Sequence, residues 1–386
     1  MNSLERFADW GVNVALPFWA GHAWDRRSGG FLESLSLDGR PVTGDTRRVR
    51  TQARQVYVFA RAHLAGWCDG FNLAVDGFEL LERRAKSPDG KPGWVHRLSD
   101  SGEVEDPMRD LYDHAFLLLA LAWLHRLTRD SYYRNSADAL IAYLDDAFGH
   151  PAGGYCENVG GAALPRRQNP HMHFFECLLA WHEATADPEY LRRAGHILTL
   201  LEDRFMVAPG GFLAEHFDNE LRPAPRPDEG LLVEPGHELE WVWLLDEGRE
   251  AGLAVRENLP DELYAHACRF GRNAKTGFMM SAISGAGDII DGGSRTWVQT
   301  EWLRAALARQ RLSHVDGGSE VERAAAQLLQ HHIDPALPGG WIDQVDASGQ
   351  RVADRMPAST LYHLLGAVVE ADRAGSKDHE SASDAL

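Results

Sequence analysis

Apolar positions along the chain recur at helical spacing, as in Val56, Phe59, Ala60 and Leu64, or Phe116, Leu117, Ala120, Leu121 and Leu124. These stretches are punctuated by a glycine followed by a bulky side chain. The punctuation falls at Gly30-Phe31, Gly93-Trp94, Gly154-Tyr155, Gly211-Phe212, Gly277-Phe278 and Gly340-Trp341, and successive glycines lie 63, 61, 57, 66 and 63 residues apart. Each period holds two helical stretches, one before the turn, such as Tyr190 to Phe205, and one after it, such as His237 to Ala251. Two helices of about 15 residues plus loops fill such a period. The stretches after the turns, such as Leu117 to Trp123 and Phe174 to Trp181, are apolar all round and are expected to be buried on most faces. The pattern therefore predicts an all-α protein: an (α/α)6 barrel of six helical hairpins, with the later helix of each period in an inner ring and short β-hairpins at one rim. The barrel is expected over residues 1–373 as one domain. The polar segment 374–386, rich in Ser, Asp, Glu and Lys, is expected to fray.

Charge narrows the partners. Acidic residues number 57 against 39 basic ones, a formal net charge of -18, which repels phosphate backbones and anionic lipid. Neither nucleic acid nor a membrane is an expected partner. Met1 to Trp10 carries Glu5, Arg6 and Asp9 and lacks the pattern of a secretory signal, and the apolar run Ala115 to Leu124 is too short to span a bilayer. A cytoplasmic protein, monomer or homodimer, is expected. Cys68, Cys156, Cys177 and Cys268 are widely spaced and suggest neither a disulfide framework nor a zinc site.

An ionisable residue stands near the start of each inner helix, at a nearly constant distance beyond the glycine. Arg54, His114, His173, His237, Glu301 and His363 lie 24, 21, 19, 26, 24 and 23 residues after it. Equivalent positions on six inner helices converge at one mouth of a barrel. Glu240, one turn after His237, can share its face. Aromatics including Tyr57 and Trp297 accompany the set; most such rings are core, and a few at the mouth would give a sugar an apolar platform. His171 and His173 stand two residues apart, which on a helix sends them to different faces, and no His-Glu-x-x-His motif accompanies them. No metal and no cofactor are expected. Several histidines around one pocket suit proton transfer in both directions near neutral pH. On an open-chain sugar, deprotonation at C2 gives an enediolate, which becomes a ketose by protonation at C1 or the epimer by protonation at C2 from the other face.

At these same residues the chain resembles the N-acylglucosamine 2-epimerase superfamily. The resemblance runs from about Leu4 to Glu370. Its carriers are Thr51-Gln52-Ala53-Arg54-Gln55, Tyr112-Asp113-His114-Ala115-Phe116, Asn169-Pro170-His171-Met172-His173 with Glu176, Pro235-Gly236-His237-Glu238-Leu239-Glu240-Trp241, and Pro357-Ala358-Ser359-Thr360-Leu361-Tyr362-His363. It implies an (α/α)6 barrel without a redox cofactor, in which His237 and His363 transfer protons. Arg54, His173 and Glu240 then surround the substrate's carbonyl and ring oxygens, with Asn169, His114 and Glu301 near them; the accompanying aromatics Trp297 and Tyr57 complete the expected substrate-binding set. Ala358 stands where the disaccharide epimerases of the superfamily carry a Trp, and His363 is followed by Leu364-Leu365-Gly366 rather than Val-Pro-Arg. Both departures resemble the isomerase branch. The resemblance implies a metal-independent aldose–ketose isomerase, with D-mannose and D-fructose as the expected pair. The alternatives are a 2-epimerase of N-acylglucosamine or another hexose, a glycoside hydrolase or lyase, and a non-catalytic carbohydrate-binding barrel. A hydrolase needs two flanking acids, and the six inner-helix positions supply only Glu301, with Glu240 beside His237.

Overall fold

A computed structural model describes residues 1–160, 164–313, 318–334, 336–337 and 339–383. The chain is mostly helical. Its helices are α1 (Ser3–Trp10), α2 (Leu16–His22), α3 (Val49–Leu64), α4 (Phe71–Arg84), α5 (Leu111–Thr128), α6 (Ser131–Ala147), α7 (Asn169–Thr185), α8 (Pro188–Leu200), α9 (Pro235–Glu250), α10 (Leu259–Phe270), α11 (Thr296–Ser313), α12 (Gly318–His331) and α13 (Leu361–Ser383). A π-helical turn over Gly11–Ala15 joins α1 and α2 into one bent rod. Local chemistry sets the helix starts: Asp110, Asp130 and Asp187 accept backbone N–H groups at the N-termini of α5, α6 and α8. Pro170, Pro188 and Pro260 occupy first-turn positions, where a missing N–H costs nothing.

Packing follows the two-helix period. α3 lies against α5, α5 against α7, α7 against α9, α9 against α11, α11 against α13, and α13 returns to α3. The alternate helices α4, α6, α8, α10 and α12 each pack on the helix before them in sequence, and α1 packs on α12 and α13. On α5 every residue from Leu111 to Leu124 except Tyr112 is buried, as expected of a helix surrounded by others. Each fully buried Leu there is worth about 1.5–3 kcal/mol.

Short strands gather where the α3, α5, α7, α9, α11 and α13 helices begin. Some form local hairpins, such as Arg97–Leu98 with Val104–Asp106. Others join successive periods: Arg47–Arg48 pairs with Arg97–Leu98, Arg166–Arg167 with His216–Phe217, and Ser294–Arg295 with Gln344–Val345. Ser34–Ser36 pairs antiparallel with Arg355–Pro357, tying the first period to the last.

The backbone of 374–383 continues α13, where the sequence led us to expect a frayed tail. Beyond Gly375 that stretch contains neither Gly nor Pro to stop a helix. Residues 384–386 lie outside the described residues. All four cysteines are free thiols. Among the described residues, no helix is long and apolar enough to cross a membrane.

Candidate active site

The glycine turns and the inner helices are tied together by one recurring bond. Gln52 exchanges two hydrogen bonds of 2.8 Å with the backbone of Phe31. His114 Nε2 accepts the Trp94 N–H at 3.1 Å, His171 Nε2 the Tyr155 N–H at 3.0 Å, Glu238 the Leu213 N–H and Gln299 the Met279 N–H, both at 3.2 Å. At Gly154, where φ is +63°, a Cβ would come within 2.5 Å of His171 Nε2, so only glycine fits the turn. Two residues beyond each anchor, about 200° around the helix, the side chain faces the opposite way. Those positions are Arg54, Phe116, His173, Glu240 and Glu301, and His363 follows the apolar Leu361 in the same step.

This register corrects one expected site residue. His114 is fully buried, with Nδ1 at 2.6 Å from the Asp110 carbonyl and Nε2 on the Trp94 N–H. It anchors a turn, and Phe116 faces the centre in its place. Tyr57 is also displaced. Its hydroxyl accepts from Arg61, and it lines a separate cavity of about 610 Å³ with Arg61, Trp123, Glu247 and Glu370.

The other expected residues form one connected group. Arg54 is buried under three rings, its guanidinium carbon 4.1 Å from the Phe116 centroid, 4.9 Å from Tyr362 and 5.6 Å from Tyr112. It donates to the Tyr112 hydroxyl at 2.8 Å and makes no ion pair among the described residues. His173 lies 3.4 Å through Nε2 from that hydroxyl, 3.9 Å from Glu240, and holds Glu176 through Nδ1 at 3.0 Å. Burial pushes the His173 imidazole down to about 4, against the pull of Glu176. Glu240 is fully buried, and neither of its oxygens has a hydrogen-bond partner among the described residues. Burial and the neighbouring Glu301 raise its carboxyl well above the usual range, which favours the protonated form, a hydrogen-bond donor.

His237 and His363 pack against Trp297, ring centroids 5.0 and 5.5 Å from it. Gly236 makes room for that indole: a Cβ there would lie 2.5 Å from the Trp297 ring. His363 Nδ1 meets Glu301 at 2.9 Å, and Glu301 also receives the Trp243 indole N–H at 2.6 Å and Arg304 at 3.3 Å. Burial, reinforced by the charges of Arg54 and Arg304, lowers the His363 imidazole well below its ordinary value. His237 is poised the other way. Burial would lower it, yet Glu215 at 3.0 Å and Glu234 at 3.5 Å from Nδ1 outweigh that and raise it to about 10. The Asn169 amide lies 3.0 Å from its Nε2.

The family model described as N-acylglucosamine 2-epimerase (GlcNAc 2-epimerase) matches residues 29–367. A mannose-6-phosphate isomerase of Rhizobium meliloti (strain 1021) is 35% identical over 375 residues, covering 94% of this chain and 95% of that protein. The chain belongs to the N-acylglucosamine 2-epimerase family. It is an enzyme of the isomerase and epimerase class. A D-mannose isomerase of Thermobifida fusca is 31% identical over 376 residues, covering 86% of this chain and 89% of the relative. A crystal structure of a D-mannose isomerase shares the fold with a TM-score of 0.86 at 22% identity, covering 96% of this chain and 97% of that one.

Within this family member, sequence reasoning missed Tyr112, Glu176, Glu215, Glu234 and Tyr362, whose hydroxyl donates to Glu176 at 2.5 Å. A signal for Glu215 exists. In five periods, the residue three or four beyond the glycine is ionisable and meets a polar group at the start of an inner helix: Glu33 with Arg48, His96 with Asp113, Glu157 with Arg167, Glu215 with His237, and Asp343 with Thr360. The fold also brings ionisable atoms of Glu240, Glu301 and His363 within 4.8 Å of one another, a proximity that spacing along the chain does not reveal.

Proposed function

We propose that the chain is a metal-independent aldose–ketose isomerase, with D-mannose and D-fructose as the expected pair. We place it on one cytoplasmic (α/α)6 barrel over residues 1–373. The cyclic packing of α3, α5, α7, α9, α11 and α13 and the pairing of the first period with the last support that architecture. Four free thiols suit a reducing compartment. The isomerase names of the R. meliloti and T. fusca relatives support the reaction class.

The observation that carries the chemistry is the pair of histidines packed on Trp297, His237 with Glu215 and Glu234 at 3.0 and 3.5 Å from Nδ1, which favour its charged form, and His363 buried near Arg54 and Arg304, which favour its neutral form. Neutral His363 takes the C2 proton of the open-chain aldose through Nε2, since Nδ1 faces Glu301. The C–H electron pair becomes the C1–C2 double bond, and negative charge moves onto the former carbonyl oxygen O1. Arg54, buried and without a carboxylate partner, stabilises that oxyanion, and the neutral Glu240 carboxyl donates a hydrogen bond beside it. His237, as imidazolium, protonates O1 and then accepts the O2 proton. His363 returns its proton to C1 and the ketose results. His173, Asn169 and Tyr112 orient the hydroxyls.

Incubation with mannose, fructose and mannose 6-phosphate in deuterated water, followed by NMR, tests this reading. Ketose formation with deuterium entering aldose C2 is expected. Epimer without ketose would move the assignment to a 2-epimerase, and absence of exchange with every sugar would overturn both.

A further inference from the structure

Resting on the reading of His237 as the acid, we infer that Glu215 is a positioning residue: it holds His237 as a charged, oriented proton donor, an assignment that the neighbouring periods do not share. Glu215 is 4% exposed, and its two oxygens are divided. Oε1 lies 3.0 Å from His237 Nδ1, and Oε2 accepts the Gln168 side-chain N–H at 3.0 Å. Gln168 is fixed in turn by the Trp241 indole N–H, 2.9 Å from its Oε1. Glu215 Oε1 and His237 Nδ1 stand at hydrogen-bonding distance with both side chains buried, so their attraction is little screened. A buried carboxylate with one oxygen tied down and the other against an imidazole favours the imidazolium.

Gln168, at the N-cap of α7, and Asn169, its first residue, thus grip His237 from both ends. Gln168 acts on Nδ1 through Glu215, and Asn169 reaches Nε2 at 3.0 Å. The Asn169 side-chain carbonyl oxygen has no hydrogen-bond partner among the described residues. An amide rotated by half a turn presents that oxygen to a protonated Nε2, and the opposite orientation offers its N–H to the neutral ring after transfer. One side chain therefore serves both protonation states. In the other periods the residue at the place of Glu215 ties down Arg48, Asp113, Arg167 or Thr360; here alone its partner packs on Trp297 in the pocket.

The remaining groups around His237 are accounted for. Glu234, which caps α9, stands 3.5 Å from Nδ1 and adds to the same effect, and it in turn feels Arg295 and Arg226. Glu240 on α9 favours the cation when ionised, His173 on α7 is neutral, and α11 contributes the Trp297 ring. Glu234 is the more exposed of the two Nδ1 partners, its side chain 32% accessible against 5% for Glu215, so Glu215 is the less screened charge.

The test is imidazole NMR of His237 in the full-length protein and in Glu215→Gln and Glu215→Asp, with pH profiles of kcat measured in parallel. In the wild type, His237 stays protonated through neutral pH, and both the resonance and the alkaline limb of kcat titrate near 10. In Glu215→Gln both move down by roughly 1–3 pH units, the usual effect of one charge at this distance. Glu215→Asp, which keeps the charge, restores most of the shift. An unmoved His237 titration in folded Glu215→Gln, whatever its turnover, would overturn the inference. A titration that moves while the alkaline limb of kcat stays put would uphold the Glu215–His237 coupling and instead overturn the role of His237 as acid.

Discussion

Replacing Arg54 by Met separates what this side chain does for the fold from what it does for the reaction. The residue is 7% exposed, its guanidinium stacked on Phe116 and Tyr362, bonded to the Tyr112 hydroxyl, and without an ion-pair partner among the described residues. Its stabilising contacts amount to about 1–2 kcal/mol for each ring and about 1.5–3 kcal/mol for the charged hydrogen bond. Against them stands a desolvation cost of several kcal/mol for a buried charge. Methionine keeps the apolar packing on both rings and carries no charge, so the two sides nearly cancel, leaving a net change within about 1–2 kcal/mol of zero. The reaction has no such compensation. An oxyanion that loses one preorganised donor loses about 3–4 kcal/mol of transition-state stabilisation, a fall of roughly 10²–10³ in kcat. Thermal unfolding and steady-state sugar isomerisation on the same preparation check both halves. The expected result is a melting temperature within a few degrees of wild type with kcat down by that factor. Unchanged kcat, or a loss of activity matched by a large loss of stability, would show that Arg54 is structural and that the enediolate is stabilised elsewhere.

Three further outcomes are expected. His363→Asn should lower kcat by at least roughly 10²–10⁴, with KM little changed and no deuterium exchange at C2, whereas His237→Asn should lose turnover yet keep slow C2 exchange; near-normal kcat in His363→Asn refutes the assignment. Exhaustive chelation should leave activity intact, as measured by isomerisation after dialysis against EDTA; recovery of lost activity by one divalent ion would assign a cation to the Glu240, Glu301 and His363 group. His114→Ala should cost about 2–4 kcal/mol of stability by stripping the acceptor from the buried Trp94 N–H and leaving a cavity, while activity per folded molecule stays unchanged; a selective loss of kcat would return His114 to the site.

Periodicity made much of the architecture legible before any coordinates. Two helical stretches per glycine period, and the greater apolarity of the later one, led directly to the helices now seen from α3 to α13, because burial on several sides demands apolar residues all round. Arg54, His173, His237, Glu301 and His363 were equally legible, since similar offsets in equivalent repeats lead side chains to the same place, and Glu240 followed from its position one turn after His237. Trp297 was read among the accompanying aromatics, and the family motifs added Asn169. The reading failed at His114, because an offset uncertain by two residues turns a helical side chain through about 200°, and only the anchor bond to Trp94 fixes which face points inward. Tyr57 shows the same limit along the helix axis, where depth decides which cavity a ring lines.

Spacing also could not distinguish one histidine from another. His114, His173, His237 and His363 are chemically identical in the sequence, yet one anchors a turn, one is neutral beside Glu176, one is charged beside Glu215 and Glu234, and one is held neutral beside Arg54 and Arg304. Protonation depends on burial and on charges brought close by folding, and those charges come from residues far apart along the chain, as between Arg54 and His363. The sequence alone determined which residues could exchange protons and which helices would carry them. Tertiary packing decided which of them is charged, which is neutral and which holds a turn in place, because only packing sets the distances over which electrostatics acts.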